Sequence, residues 1–201
     1  MAGYACARRV SYLKTVRAER LRPTMDYEAL RKNYKPNKIT ALFIAESPPA
    51  PKSNRFFYLE GVTKADTLYL ETMRVLFPEM TSKQTAKQIR ANKAFYLTAF
   101  KDKGFYLIDG TDTPIAGMSK SRKLSMLAHD RRRLQEKVRW LVTADIPIVL
   151  IATTVWKTHY AVLRQLGYRV ANSTAIPHPA YGNNRKFSEG LETILRLQGL
   201  L

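Results

Sequence analysis

The chain has 201 residues, a length that predicts one domain with at most a small appendage. Hydrophobic residues make up 45% and charged residues 25%, ordinary globular usage that excludes a disordered chain or a low-complexity repeat. Lysine and arginine number 34 against 16 acidic residues, a net charge of +18, and a chain so basic calls for a polyanionic partner whose phosphates release counterions on binding.

Residues 1–38 carry ten basic side chains against Glu19, Asp26 and Glu28 and are read as a basic helical N-terminal extension. A helix over 8–21 stops before Pro23, and a second starts after Thr24, because the residue before a proline disfavours helical geometry. No long apolar segment follows the first basic residues, so no secretory signal is expected. The longest apolar run, 146–152, contains Pro147 and is far shorter than the ~18 residues that span a bilayer. The expectation is a cytoplasmic, nucleoid-associated monomer that does not engage membranes.

From residue 39 the pattern changes to that of an α/β domain occupying 39–201. Residues 39–45 form a nearly continuous apolar run, as in a parallel strand covered on both faces. The run stops at Glu46, Ser47, Pro48 and Pro49, because consecutive prolines cannot continue a central strand. A helix is expected over 64–77, and another capped by Thr81 or Ser82 runs towards Lys103. Gly104 opens a second strand, 105–108, ending at Asp109 and Asp112. One long helical signal follows, carried by Leu124, Leu127, Leu134, Val138 and Leu141. A third strand, 146–152, ends at Thr153 and Thr154, either of which can cap a helix running to Leu166 before Gly167. A weaker strand over 168–175 runs into Pro177, His178 and Pro179, and a last helix covers 187–197.

Strands alternating with helices predict a three-layer α/β/α sandwich around a four-stranded, mainly parallel sheet. Ligands of such sheets bind outside the carboxyl ends of the strands. The polar residues ending the four runs are Glu46, Asp109 with Asp112, Thr153 with Thr154, and His178. Glu46 is presented by a stiff turn, where it can do chemistry or simply cap a helix or pair with an arginine. His178, between two prolines, loses little entropy when aimed at a ligand. Phe56, Phe57 and Tyr58 after Arg55 cannot all point one way, so at least one is expected to line a pocket or face outwards, where it can stack on a base. Tyr181, Gly182, Asn183, Asn184 and Arg185 form a polar turn suited to a phosphate or a groove. The single cysteine, Cys6, excludes intramolecular disulfides, clustered-thiolate zinc and a four-cysteine iron–sulfur cluster, and the three histidines are too scattered for a metal site.

On these motifs, in order and position, the sequence resembles the uracil-DNA glycosylase superfamily over most of 39–198. Ala45-Glu46-Ser47-Pro48-Pro49 is similar to the family's first motif, Gly-Glu-x-Pro-Gly, Phe56 or Phe57 to its base-stacking aromatic, and His178-Pro179-Ala180 to its last motif. Ala45 and Pro49 replace two glycines, and Ser47 stands where other branches have Asp or Asn. Asp109, Thr111 and Asp112 stand where the family has an asparagine reading uracil. An ionised aspartate only accepts hydrogen bonds, whereas the edge of uracil presents acceptors and a donor.

The resemblance implies a monofunctional DNA glycosylase that flips a damaged or deaminated base, uracil or a relative, and hydrolyses its N-glycosidic bond without metal or cofactor. In it Glu46 and His178 are catalytic. Ser47, Pro48, Phe56, Phe57, Asp109 and Asp112 bind substrate, with Phe57 stacking on the extruded ring. Arg55, Tyr181, Asn183, Asn184 and Arg185 bind DNA, double- or single-stranded. The competing readings are a non-catalytic protein of the same fold recognising abasic or distorted DNA, and an enzyme acting on free nucleosides or nucleotides.

Overall fold

The computed structural model of the protein describes residues 25–201, so the helix expected over 8–21 lies outside the described residues. Three parallel strands, β1 (Ala41–Ala45), β2 (Phe105–Asp109) and β3 (Ile148–Leu150), lie in the order β2-β1-β3. Ala41 stands opposite Phe105, Ala45 opposite Asp109, and Leu42 opposite Ile148. Every residue of the three strands is buried, the environment that their unbroken apolar sequences require.

The fourth strand is reduced to two parallel bridges, Val170 to Ile148 and Ile176 to Ile151. Between them the side chain of Asn172 takes the place of a strand backbone. Its Oδ1 accepts from Leu150 N at 2.9 Å and its Nδ2 donates to Leu150 O at 3.1 Å. Both polar groups at the end of β3 are thereby satisfied without a continuous ladder. On the opposite border, the Tyr58 hydroxyl covers the edge of β2, accepting from Leu107 N at 2.7 Å and donating to Leu107 O at 3.2 Å.

The helices are α1 (Tyr27–Asn33), α2 (Thr67–Leu76), α3 (Pro78–Thr81), α4 (Ala86–Ala91), α5 (Lys93–Asp102), α6 (Lys120–His129), α7 (Arg131–Leu141), α8 (Thr153–Gln165) and α9 (Asn184–Leu197). The helix expected from residue 81 or 82 towards 103 is instead a series of short ones. Thr81 turns its hydroxyl back onto Phe77 O, and the capping box belongs to Thr85 with Gln88. The single long signal over 124–141 breaks at Asp130, whose carboxylate is drawn to Thr111 and His129. Gly167, at φ +86°, ends α8 in the left-handed conformation that glycine adopts without strain. No helix among the described residues is long and apolar enough to cross a membrane.

Helix α1 is a structural part of the α/β body. Asp26 caps it by accepting from Ala29 N at 3.0 Å. Its inner face sends Arg31 to Asp109, Nη2 to Oδ2 2.8 Å, with both side chains 4% exposed. Tyr27 packs on Phe56 at 4.7 Å between ring centroids, and Tyr34 stacks on Tyr58 at 6.0 Å. Residues 27–34, which lie before the division expected at 38/39, thus pack on the α/β body.

Candidate active site at the carboxyl edge of the sheet

Glu46 leaves β1 directly, and two helices reach it. Thr154 Oγ1, at the start of α8, donates to Glu46 Oε1 at 2.6 Å, and Lys123 Nζ of α6 donates to Oε2 at 2.7 Å. The lysine and glutamate side chains are 22% and 16% exposed, so the pair stands at the wet edge of the sheet. Thr154 can serve Glu46 because it does not cap its own helix. That position falls to Ala152, which makes no side-chain cap and has φ +83° and ψ 139°, a strained backbone for a non-glycine residue. Gly110 lets α6 approach. A Cβ there would meet Leu127 Cδ2 at 2.9 Å and Ala45 O at 3.3 Å.

His178 follows the Ile176 bridge at the same carboxyl edge of the sheet. Burial lowers its pKa below the ordinary value, the charge of Glu46 opposes that shift, and the charge of Lys123 reinforces it. The imidazole is therefore neutral near pH 7. Its Nδ1 accepts from Ala180 N at 3.2 Å, so the proton resides on Nε2, which is the donor. Two residues later the chain turns through Tyr181 at φ +57° and Gly182 at φ +78°, and the Tyr181 side chain is 99% exposed. A fully solvated ring held in a left-handed turn contributes nothing to the core.

The remaining sequence-derived candidates separate into groups. Ser47 ties the first turn to the loop after β2, accepting from Ile115 N at 3.3 Å, and Pro48 is buried beside it. Phe57 is withdrawn from any base-stacking position. It is 5% exposed and packs against Tyr58, Tyr69 and Phe100. Phe56 is equally buried because Tyr27 and the Arg31 guanidinium cover it. Asp109 faces Arg31 rather than a ligand. Burial pushes its carboxyl up to about 6 while the guanidinium pulls it down. Asp112 is held by Arg133 at 2.6 Å and Lys137 at 2.7 Å.

Asn183 closes its own turn by donating to Ala180 O, and Asn184 donates to the buried carboxylate of Glu71, so these amides help build the loop. Arg185 is exposed and pairs with Glu189 at 3.3 Å, and Arg55 is exposed. Sequence reasoning missed Lys123. Its sole sequence signal is a place on an amphipathic helix, which does not reveal that its ammonium meets Glu46.

A cavity of about 620 Å³ is lined by Pro48, Asp112, α1, β2 and α7, and neither Glu46 nor His178 lines it. Comparison with family models, with curated proteins and with solved structures gives no significant match. What the fold and the site define is a mixed α/β protein whose parallel sheet ends in a carboxylate, an ammonium and a hydroxyl in hydrogen-bonded contact beside a neutral imidazole.

Proposed function

We propose that the protein is a DNA N-glycosylase acting on a flipped, damaged or deaminated base, with Glu46 and His178 as its catalytic residues. The observation that carries this reading is that Glu46, directly after β1, and His178, two residues after the Ile176 bridge, both leave the carboxyl edge of the parallel sheet although they are 132 positions apart in the chain. Breaking the N-glycosidic bond sends its electron pair to the base and leaves an oxocarbenium-like sugar. Glu46 stabilises that cation and orients the water that adds to C1′. The Nε2–H of His178 donates to the base oxygen on which negative charge grows. Lys123 and Thr154 hold the carboxylate in one orientation. The exposed ring of Tyr181 supports a role in filling the space left in the duplex.

The test is single-turnover cleavage of duplexes that each contain one modified or mismatched base, read as alkali-labile strand breaks. His178→Ala is expected to lower the rate about 10²- to 10³-fold, the scale for losing one donor to a developing oxyanion, and Glu46→Gln about 10²- to 10⁴-fold, the scale for losing a carboxylate that acts on the water, with DNA affinity retained in both. Unchanged rates in both variants would remove the assignment. One observation favours a second reading, a non-catalytic binder of abasic or distorted DNA: both oxygens of Glu46 are engaged within the protein and Phe57 is internal. Selective binding of abasic duplex with no cleavage of any member of the panel decides for it.

A further inference from the structure

We infer that the cavity between α1, β2 and α7 is a binding site for an unpaired nucleotide of single-stranded DNA, with Trp140 as its stacking surface. The cavity, about 620 Å³, has the size of sites that enclose small planar ligands. Tyr27, Tyr106 and Trp140 supply aromatic walls, and Lys32, Lys35 and Arg133 stand around them. Trp140 is 86% exposed. Helix α7 buries Leu134 and Val138 instead, so its indole is not there to pack the core.

The electrostatics select the occupant. The acids in the wall are already answered within the protein: Glu28 by Arg31, Asp112 by Arg133 and Lys137, and Glu136 by Arg132. Lys32 and Lys35 have no carboxylate partner among the described residues, so the cavity mouth has cations to offer an anion. An aromatic floor with a cationic mouth suits a base joined to phosphate, and a stacked face is reachable only for a base outside a duplex. A net charge of +18 favours a polymer with many phosphates over a free mononucleotide. The site touches neither Glu46 nor His178, and Trp140 has no part in the glycosylase reading.

The test uses the full chain and a fluorescein-labelled oligothymidylate of about twelve nucleotides, within the usual range of single-strand site sizes, followed by anisotropy. Trp140→Ala is expected to weaken oligothymidylate binding about ten-fold or more. Its affinity for a mixed-sequence duplex, and its cleavage of any duplex substrate, stay at the wild-type level, and Trp140→Phe regains most of the loss. Thymidine monophosphate competes only at concentrations far above those at which the oligomer does. Irradiation of an oligomer carrying 5-iodouracil places the adduct on α1 or α7. Undiminished oligothymidylate binding by Trp140→Ala, equal loss on single strand and duplex, or adducts solely outside these two helices would overturn the inference.

Discussion

Thr154 shows how one side chain decides between local and long-range duty. A threonine at the start of a helix ordinarily turns its hydroxyl onto the helix's own first amides, yet here it donates to Glu46 at 2.6 Å and leaves Ala152 as an uncapped, strained N-cap. A hydrogen bond to a charged partner is worth about 1.5–3 kcal/mol. Thr154→Val, close in shape, is therefore expected to slow single-turnover cleavage at least about ten-fold while leaving DNA affinity unchanged, and Thr154→Ser restores the rate. A Val variant as fast as the wild type would show that the hydroxyl does not hold Glu46 in the orientation proposed for catalysis. The polar chain ends at residues 46, 153–154 and 178 were readable in the sequence because each terminates an apolar run. The burial of Phe56 was not readable, since the ring and the cation that cover it come from 25 to 29 residues upstream, beyond any local period.

At the scale of elements, the helix α8 carries an interior histidine. His159 is 1% exposed, its Nε2 has no hydrogen-bond partner, and burial, aided by the charge of Arg131, lowers its pKa to about 4. The unfolded chain titrates near 6.5, so between these values it binds the proton that the folded chain refuses. The stability from this residue is full above pH 6.5 and is lost as the pH falls towards 4, amounting to on the order of 2 kcal/mol by pH 5. Denaturant unfolding at pH 7 and pH 5 is expected to show that loss in the wild type and to show it much reduced in His159→Leu; equal losses in both would exclude the assignment. Strands β1 to β3 were legible because burial on both faces imposes continuous apolar sequence. The break at Asp130 and the dissolution of the fourth strand were not, because both follow from side-chain hydrogen bonds to distant partners, Thr111 and Leu150.

The whole molecule is dominated by its charge. With +18 spread over 201 residues, association with duplex DNA is expected to lose at least about a hundred-fold in affinity between roughly 50 and 200 mM salt, measured by anisotropy at several salt concentrations. A flat profile would point away from nucleic acid altogether. This charge was the most legible functional signal in the sequence, since net charge needs no fold to be counted. The cavity was not legible, because its walls come from residues 27–35, 48, 106–112 and 133–141, which only the folded chain assembles.

The ion pair between Arg31 and Asp109 sets a lower bound on how much chain can be cut away. A fragment beginning at residue 39 would keep the acid deep beside the sheet and discard the cation that offsets it, along with the ring shielding Phe56. Such an excised fragment would leave a deep acid without its guanidinium and bare the face that the helix covers, so the smallest unit able to stand alone has to retain the first described helix.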